Sequence, residues 1–195
     1  QNFIINFLKP PLAITPSLTL SDIWNSFGIK NHIVSLSTNV KVFKPIKKNK
    51  KNELRKKYEL DKNKFIVSHM GHLNEKRNLE MLIPIQRSGI QVIIVTSTSS
   101  PKSSSFNLNI KQKLQQEGII VYDYFIESIE EIYQLSDIYV FPVIDENASI
   151  GMPLSILEAR ACGIPVVSTD YGSVNYFFGD DFGAIKYANP ESLSV

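Results

Sequence analysis

Between Asp145 and Ser173 the chain reads DENASIGMPLSILEARACGIPVVSTDYGS, and this stretch narrows the possible folds more than any other. Gly151-Met152-Pro153 leads into a helix with Pro153 in its first turn, where the missing N–H of proline is no loss. Gly163 ends that helix, because glycine takes the left-handed conformation of a helix terminus without steric penalty. Pro165-Val166-Val167-Ser168 follows at once as a short buried strand. The helix start over Ile150, Gly151, Met152, Pro153 and Leu154 aims free backbone N–H groups and a positive dipole end at the preceding loop, which suits an anion, usually phosphate. Glu158, one and a half turns further on, can accept two hydroxyl hydrogen bonds from a ribose once phosphates dock at the helix tip. The plainer alternative is one more helix of a doubly wound sheet with no ligand, since many such helices begin with proline and end with glycine.

The remaining pattern alternates in the same way. Leu12–Thr15 reads as a strand, Ser17 as the cap of a helix running to Phe27 with Gly28 as its stop, and His32–Leu36 as a second strand. From Phe65 onward, strands are expected at 65–70, 91–96, 119–122, 138–141, 165–168 and 183–186. Helices are expected at 78–88, with Pro84 kinking it, at 110–117 and at 127–135, and the serine-rich stretch 97–109 reads as a loop. Phe65-Ile66-Val67-Ser68-His69-Met70 is apolar without strict alternation, as in a strand covered on both faces. The fold class is therefore α/β, a doubly wound, Rossmann-like parallel sheet.

Bulk properties exclude several functions. No apolar run approaches the length of a membrane span, and the apolar opening Gln1–Leu8 lacks a basic leader and a cleavage site. A start at glutamine reads as a fragment of a longer chain. The single cysteine, Cys162, excludes an internal disulfide, fits a reducing compartment and reads as a small core residue. No cysteine–histidine cluster suggests zinc. Charge is uneven. Lys41–Lys64 holds ten lysines and Arg55 against Glu53, Glu59 and Asp61, while the rest of the chain has ten basic and sixteen acidic residues. Such a block is ordinarily a solvated surface; its sharper reading is contact with an anionic membrane. Nucleic acid is not expected, for the block has few aromatics and no accompanying module signature.

Glu158-Ala159-Arg160-Ala161-Cys162-Gly163-Ile164-Pro165-Val166-Val167 resembles the donor site of family 4 glycosyltransferases, built from two Rossmann-like domains (the GT-B class). The resemblance runs from about Leu12 to the end, through Asn39–Pro45, Gly71–Asn78 and Ser128–Pro142. It implies a tail of the N-terminal, acceptor-side domain and the crossing over residues 1–40. Residues 41–195 would then be the nucleotide-sugar-binding domain, lacking the family's final helices. It further implies transfer of a sugar from a UDP, GDP or ADP sugar to a glycan or lipid-linked acceptor, with retention, without metal or other cofactor, in the cytoplasm or at the inner face of the membrane.

By the family spacing, His72 stands at a phosphate-binding arginine and Arg77 at a lysine, with Lys76 beside them. Gly71 would let the backbone approach the diphosphate, Arg77 would grip it bidentately, and His72 is the weaker cation at neutral pH. The family's first glutamate, which touches the donor sugar, falls on Ile150, and Glu146 is the carboxylate placed to substitute for it. Tyr122, Asp123, Tyr124, Phe125 and Ile126 are candidates to flank the nucleobase, Tyr124 foremost. His72, Arg77 and Glu146 are thus the candidate catalytic residues. Two rivals stay open: a sugar-nucleotide epimerase of the same class, and a non-catalytic binding module. A dinucleotide-binding dehydrogenase is disfavoured, because no G-x-G-x-x-G follows a strand.

Overall fold

Side chains of the central strands alternate in direction, and in this chain both directions are apolar. In the computed structural model, which describes residues 9–96, 105–145, 147–179 and 185–187, β3 (Phe65–Gly71), β4 (Ile90–Thr96) and β6 (Ile138–Phe141) are buried on both faces. Ile66, Met70, Ile93, Tyr139 and Phe141 face one layer, packed with Leu54, Ile132, Leu135, Ile156 and Ala159 from helices. Val67, Val92, Ile94 and Val140 face the other, against Leu79, Leu82, Ile110 and Leu114. A strand buried on both sides must read as a continuous apolar run, which is why these strands stand out in the sequence.

With β5 (Ile120–Tyr122), β7 (Val166–Ser168) and β8 (Ile185–Tyr187) the sheet has six parallel strands in the order β5-β4-β3-β6-β7-β8. The order reverses between β3 and β6, which pair only through Val67–Ile138 and Ser68–Tyr139 before diverging. A crevice therefore opens beyond their C-terminal ends, where ligands of such sheets bind. A separate parallel pair, β1 (Ala13–Thr15) with β2 (Asn31–Ile33), flanks the helix Leu18–Ser26, whose start is capped by Ser17. That layer docks on the larger sheet near the crevice, the Leu18 N–H donating to Ser173 Oγ at 2.8 Å.

Several elements differ from expectation. Residues 79–85 form a 3₁₀ run and not a kinked α-helix. Pro84 has no N–H to donate and its ring clashes with an α-helical turn before it, so the tighter coil prevails. The helix expected at 110–117 begins earlier, at Ser105, inside the stretch read as loop. A short helix, Val174–Phe178, had no counterpart in the expectation. The expected strand at 183–186 lies partly outside the described residues, and β8 covers Ile185–Tyr187.

The largest addition is the helix Lys48–Lys57, in the block read only as charged surface. Arg55, 5% exposed, donates to the carbonyls of Leu135, Lys62 and Lys64 and pairs with Asp137 at 2.6 Å. Lys51 reaches Asp137 at 2.8 Å, and the Ile66 N–H donates to the same carboxylate at 2.7 Å. One acidic group thus fastens the helix to the N-terminal ends of β3 and β6. Among the described residues no helix is long and apolar enough to cross a membrane.

Candidate functional site

Beyond β3 the chain turns through Gly71-His72-Leu73-Asn74 into a single 3₁₀ turn, Glu75–Arg77. This turn folds Arg77 back against the strand. A side-chain carbon at position 71 would stand 2.7 Å from Arg77 Nη1 and 3.1 Å from His69 Nε2, so the bare glycine makes room for the guanidinium. Arg77 is 7% exposed, its Nε has no hydrogen-bond partner, and among the described residues it has no carboxylate ion pair. Burial depresses its pKa, and the neighbouring phenols of Tyr139 and Tyr171 partly offset this. A buried cation without an anion is costly unless a ligand supplies the charge.

His69 fills the gap where β3 and β6 part. Its Nδ1 lies 2.9 Å from the Val140 carbonyl, which can only accept, so Nδ1 carries the proton and Nε2 is a bare acceptor. Burial lowers its pKa to about 4, the Val140 bond works against this, and the charge of Arg77 adds to the lowering. His69 is neutral at physiological pH. His72, half-buried, is also pushed down, by burial and then by Arg77. At neutral pH the loop therefore presents Arg77 and Lys76 as its cations, with His72 a neutral hydrogen-bonding group.

The loop after β6 forms the opposite wall. Asp145 accepts from the Asn147 N–H at 2.8 Å, and Lys76 Nζ reaches Asp145 at 3.6 Å across the crevice. Asn78, at φ +55°, donates to the Pro142 carbonyl at 3.3 Å and ties the two loops together. Tyr171 holds the next turn, accepting from the Ser149 N–H and donating to the Ser149 carbonyl. The Ser173 N–H donates to the Gly151 carbonyl at 2.7 Å, and Gly172, at φ +56°, permits it, because a side-chain carbon there would lie 2.5 Å from the Gly151 oxygen. Glu146 lies outside the described residues.

The helix itself spans Leu154–Ala161, with Pro153 as the extended residue before it. Met152 is fully buried, whereas Leu154 is exposed. Ile150, 53% exposed, and Gly151 line a cavity of about 520 Å³ with Ser17, Leu20, Leu36 and Tyr171, between the β1–β2 layer and the crevice loops. Glu158 accepts a 2.7 Å hydrogen bond from the buried Tyr133 hydroxyl. Burial raises the Glu158 pKa, and the Tyr133 bond counteracts this. The structure thus brings Gly71, His72, Lys76 and Arg77 together on one wall.

Tyr124 sits elsewhere, 53% exposed, in a cavity of about 490 Å³ with Tyr58, Tyr122, Glu59 and Glu127. Tyr58 on that side bonds Glu131, while Tyr133 bonds Glu158. Residues two apart in a helix point to opposite sides, so the 130–135 helix stands between the Tyr58 contact and Glu158. Sequence reasoning overlooked His69 and Tyr133. His69 lies inside the apolar run of β3 and Tyr133 between Ile132 and Gln134 of a helix that opens on two glutamates, and the only cue at each was a polar atom in a position with no exposed face.

The sequence profile of the family described as Glycosyl transferases group 1 matches residues 50–194. The putative glycosyltransferase EpsD of Bacillus subtilis is 23% identical over 146 residues, 73% of this chain and 37% of that protein. Among solved structures, a glycosyltransferase of Rickettsia africae superposes with a TM-score of 0.78 at 17% identity, covering 99% of this chain and 54% of that one. HepE of Anabaena, in complex with UDP-glucose, gives 0.78 at 16% identity, with 98% and 54% covered. The chain therefore spans about half or less of these relatives and has the Rossmann-like sheet of GT-B glycosyltransferases. With the profile spanning well over half of its residues, this protein belongs to the group 1 glycosyl transferases.

Proposed function

We propose that this chain is the donor-binding part of a family 4 transferase that moves a sugar from a nucleoside-diphosphate sugar to a glycan or lipid-linked acceptor, with retention and without a metal. Residues 41–195 form the donor domain, and residues 1–40 belong to the acceptor-side domain. The observation that carries the reading is the buried Arg77, without an anion among the described residues, at the crevice where the strand order reverses. The diphosphate supplies that anion. Arg77 and Lys76 hold it from one wall and the N–H groups of Gly151, Met152 and Leu154 from the other, stabilising the charge that develops as the sugar leaves. Gly71 keeps the guanidinium within reach, His72 donates as a neutral imidazole and Glu158 accepts from the ribose, whereas Tyr124, in its own cavity, stands outside this set. Glu146 contacts the donor sugar, where Ile150 offers no carboxylate.

Thermal unfolding with UDP, GDP and ADP, each with and without EDTA, tests this. One nucleotide should stabilise the chain by about 2.7 kcal/mol at 100 times its dissociation constant, unchanged by chelation. That HepE was solved with UDP-glucose makes UDP the first probe. Glu158→Ala should weaken the same nucleotide by about 1.5–3 kcal/mol; wild-type affinity in that variant removes the ribose role. The exposed Ile150 favours a second reading, a module that binds without turnover, and labelled donor given to a longer protein containing this chain separates the two. We place the protein in the cytoplasm, against anionic lipid. Lys47, Lys48, Lys56 and Lys62 are exposed for that contact, whereas Lys51 and Arg55 are committed to Asp137.

A further inference from the structure

We propose that Tyr133 is a positioning residue for the nucleotide site: its hydroxyl aims the Glu158 carboxylate, so that it is ready for the ribose. The inference rests on the donor-site reading for what Glu158 binds, but the Tyr133–Glu158 geometry stands apart from it. Tyr133 is 1% exposed and its oxygen lies 2.7 Å from Glu158 Oε2. Its ring is fixed on two sides, edge-on to Phe43 at 5.9 Å and tilted against Tyr139 at 5.7 Å. A side chain held this tightly has one place to put its hydroxyl. The bond joins two helices, Glu130–Leu135 and Leu154–Ala161, that border the same crevice from consecutive crossovers.

Among the described residues, the ionisable groups interacting with this carboxylate leave it little other support. Tyr133 donates to it, Tyr139 and Cys162 feel its charge as neutral neighbours, and the charge of Glu130 also reaches Cys162. Burial raises the Glu158 pKa and the Tyr133 bond alone pulls it back. Without the hydroxyl, Glu158 would be freer to turn and would take up a proton at a higher pH. A protonated carboxyl gives up one acceptor position, so nucleotide affinity would fall as the medium is acidified.

The test is a pH titration of the Glu158 side-chain carboxyl carbon by NMR in the 195-residue chain without ligand, assigned with Glu158→Gln. In Tyr133→Phe the midpoint should move upward from its wild-type value. UDP binding, or GDP or ADP if that nucleotide is the one bound, should be about tenfold weaker below that midpoint and recover toward wild type above it. A folded Tyr133→Phe variant with an unmoved midpoint overturns the inference. Should that variant not fold, the wild-type carboxyl shift compared in H2O and D2O reports the O–H···O bond directly, and no isotope effect is the overturning result. Wild-type nucleotide binding by Glu158→Gln would instead remove the ribose role while leaving the titration result intact, so the two failures are distinguishable.

Discussion

At the N-terminal ends of β3 and β6, Asp137 accepts from Lys51, Arg55 and the Ile66 N–H, and Arg55 spends its remaining donors on three carbonyls. At the C-terminal ends of the same two strands, Arg77 is buried nearly as deeply, with its Nε unpartnered and the bare Nε2 of His69 beside it. Two buried arginines lie at opposite ends of one strand pair. One is matched by charge and hydrogen bonds; the other has no carboxylate among the described residues. Matched charges belong to folding, because their desolvation is offset within the chain. The unmatched one is offset only when an anion arrives. The chain thus keeps its electrostatic tension at the end where the crevice opens.

Asp137→Ala should produce the largest change. It leaves Arg55 buried and unpaired, and the expected loss is about 3 kcal/mol by chemical denaturation. Burial alone would raise the Asp137 pKa, but the Lys51 and Ile66 hydrogen bonds and the charges of Lys51 and Arg55 outweigh it and hold it below the usual aspartate value. A depressed carboxyl contributes its stability above the unfolded value and loses it as pH falls through the folded one. Wild type should therefore weaken below about pH 4, and Asp137→Ala should lose less across that window, keeping only the share that other depressed carboxyls such as Glu131 contribute. Arg77→Met should behave in the opposite sense. Removing an uncompensated charge should leave the free protein unchanged or steadier by about 1 kcal/mol while costing at least about tenfold in nucleotide affinity. A loss of stability as large as that of Asp137→Ala would mean that Arg77 already has a structural partner, and the contrast between the two ends would collapse.

How far this contrast could be read from sequence follows from the distances involved. The central strands and the Gly151–Ser168 unit were legible because their signals are local: apolar runs, and a proline and a glycine bounding one helix. The Lys48–Lys57 helix was not, since its only buried apolar side chain is Leu54 and its anchor, Asp137, lies more than eighty residues away. Arg77 was legible as a cation in a loop, but its burial was not. The space under it depends on the bare face of Gly71, six residues earlier, a glycine read from sequence as an approach for phosphate. Tyr133 sat in a recognisable helix, and only packing revealed that its hydroxyl reaches Glu158.

The smallest effect belongs to the exposed pair that bridges the crevice. Lys76 and Asp145 are 3.6 Å apart and both open to solvent, so their attraction is screened and contributes little to folding. Its interest lies in competition. A diphosphate drawn to Arg77 must also draw Lys76 away from Asp145, and Asp145 repels it. Asp145→Asn keeps the side-chain oxygen that accepts from Asn147 but removes the negative charge. The thermal midpoint should not move, and nucleotide binding should tighten by about two- to threefold at low ionic strength, the gain fading near 0.5 M salt. Arg77→Met should lose affinity at every salt concentration, because its site is buried. Tightening that persists at high salt would instead mean that Asp145 acts by shaping the loop, and weaker binding would mean that it contacts the ligand itself. The first result would make Asp145 a structural residue of its wall, and the second would add it to the backbone N–H groups that hold the ligand from that side.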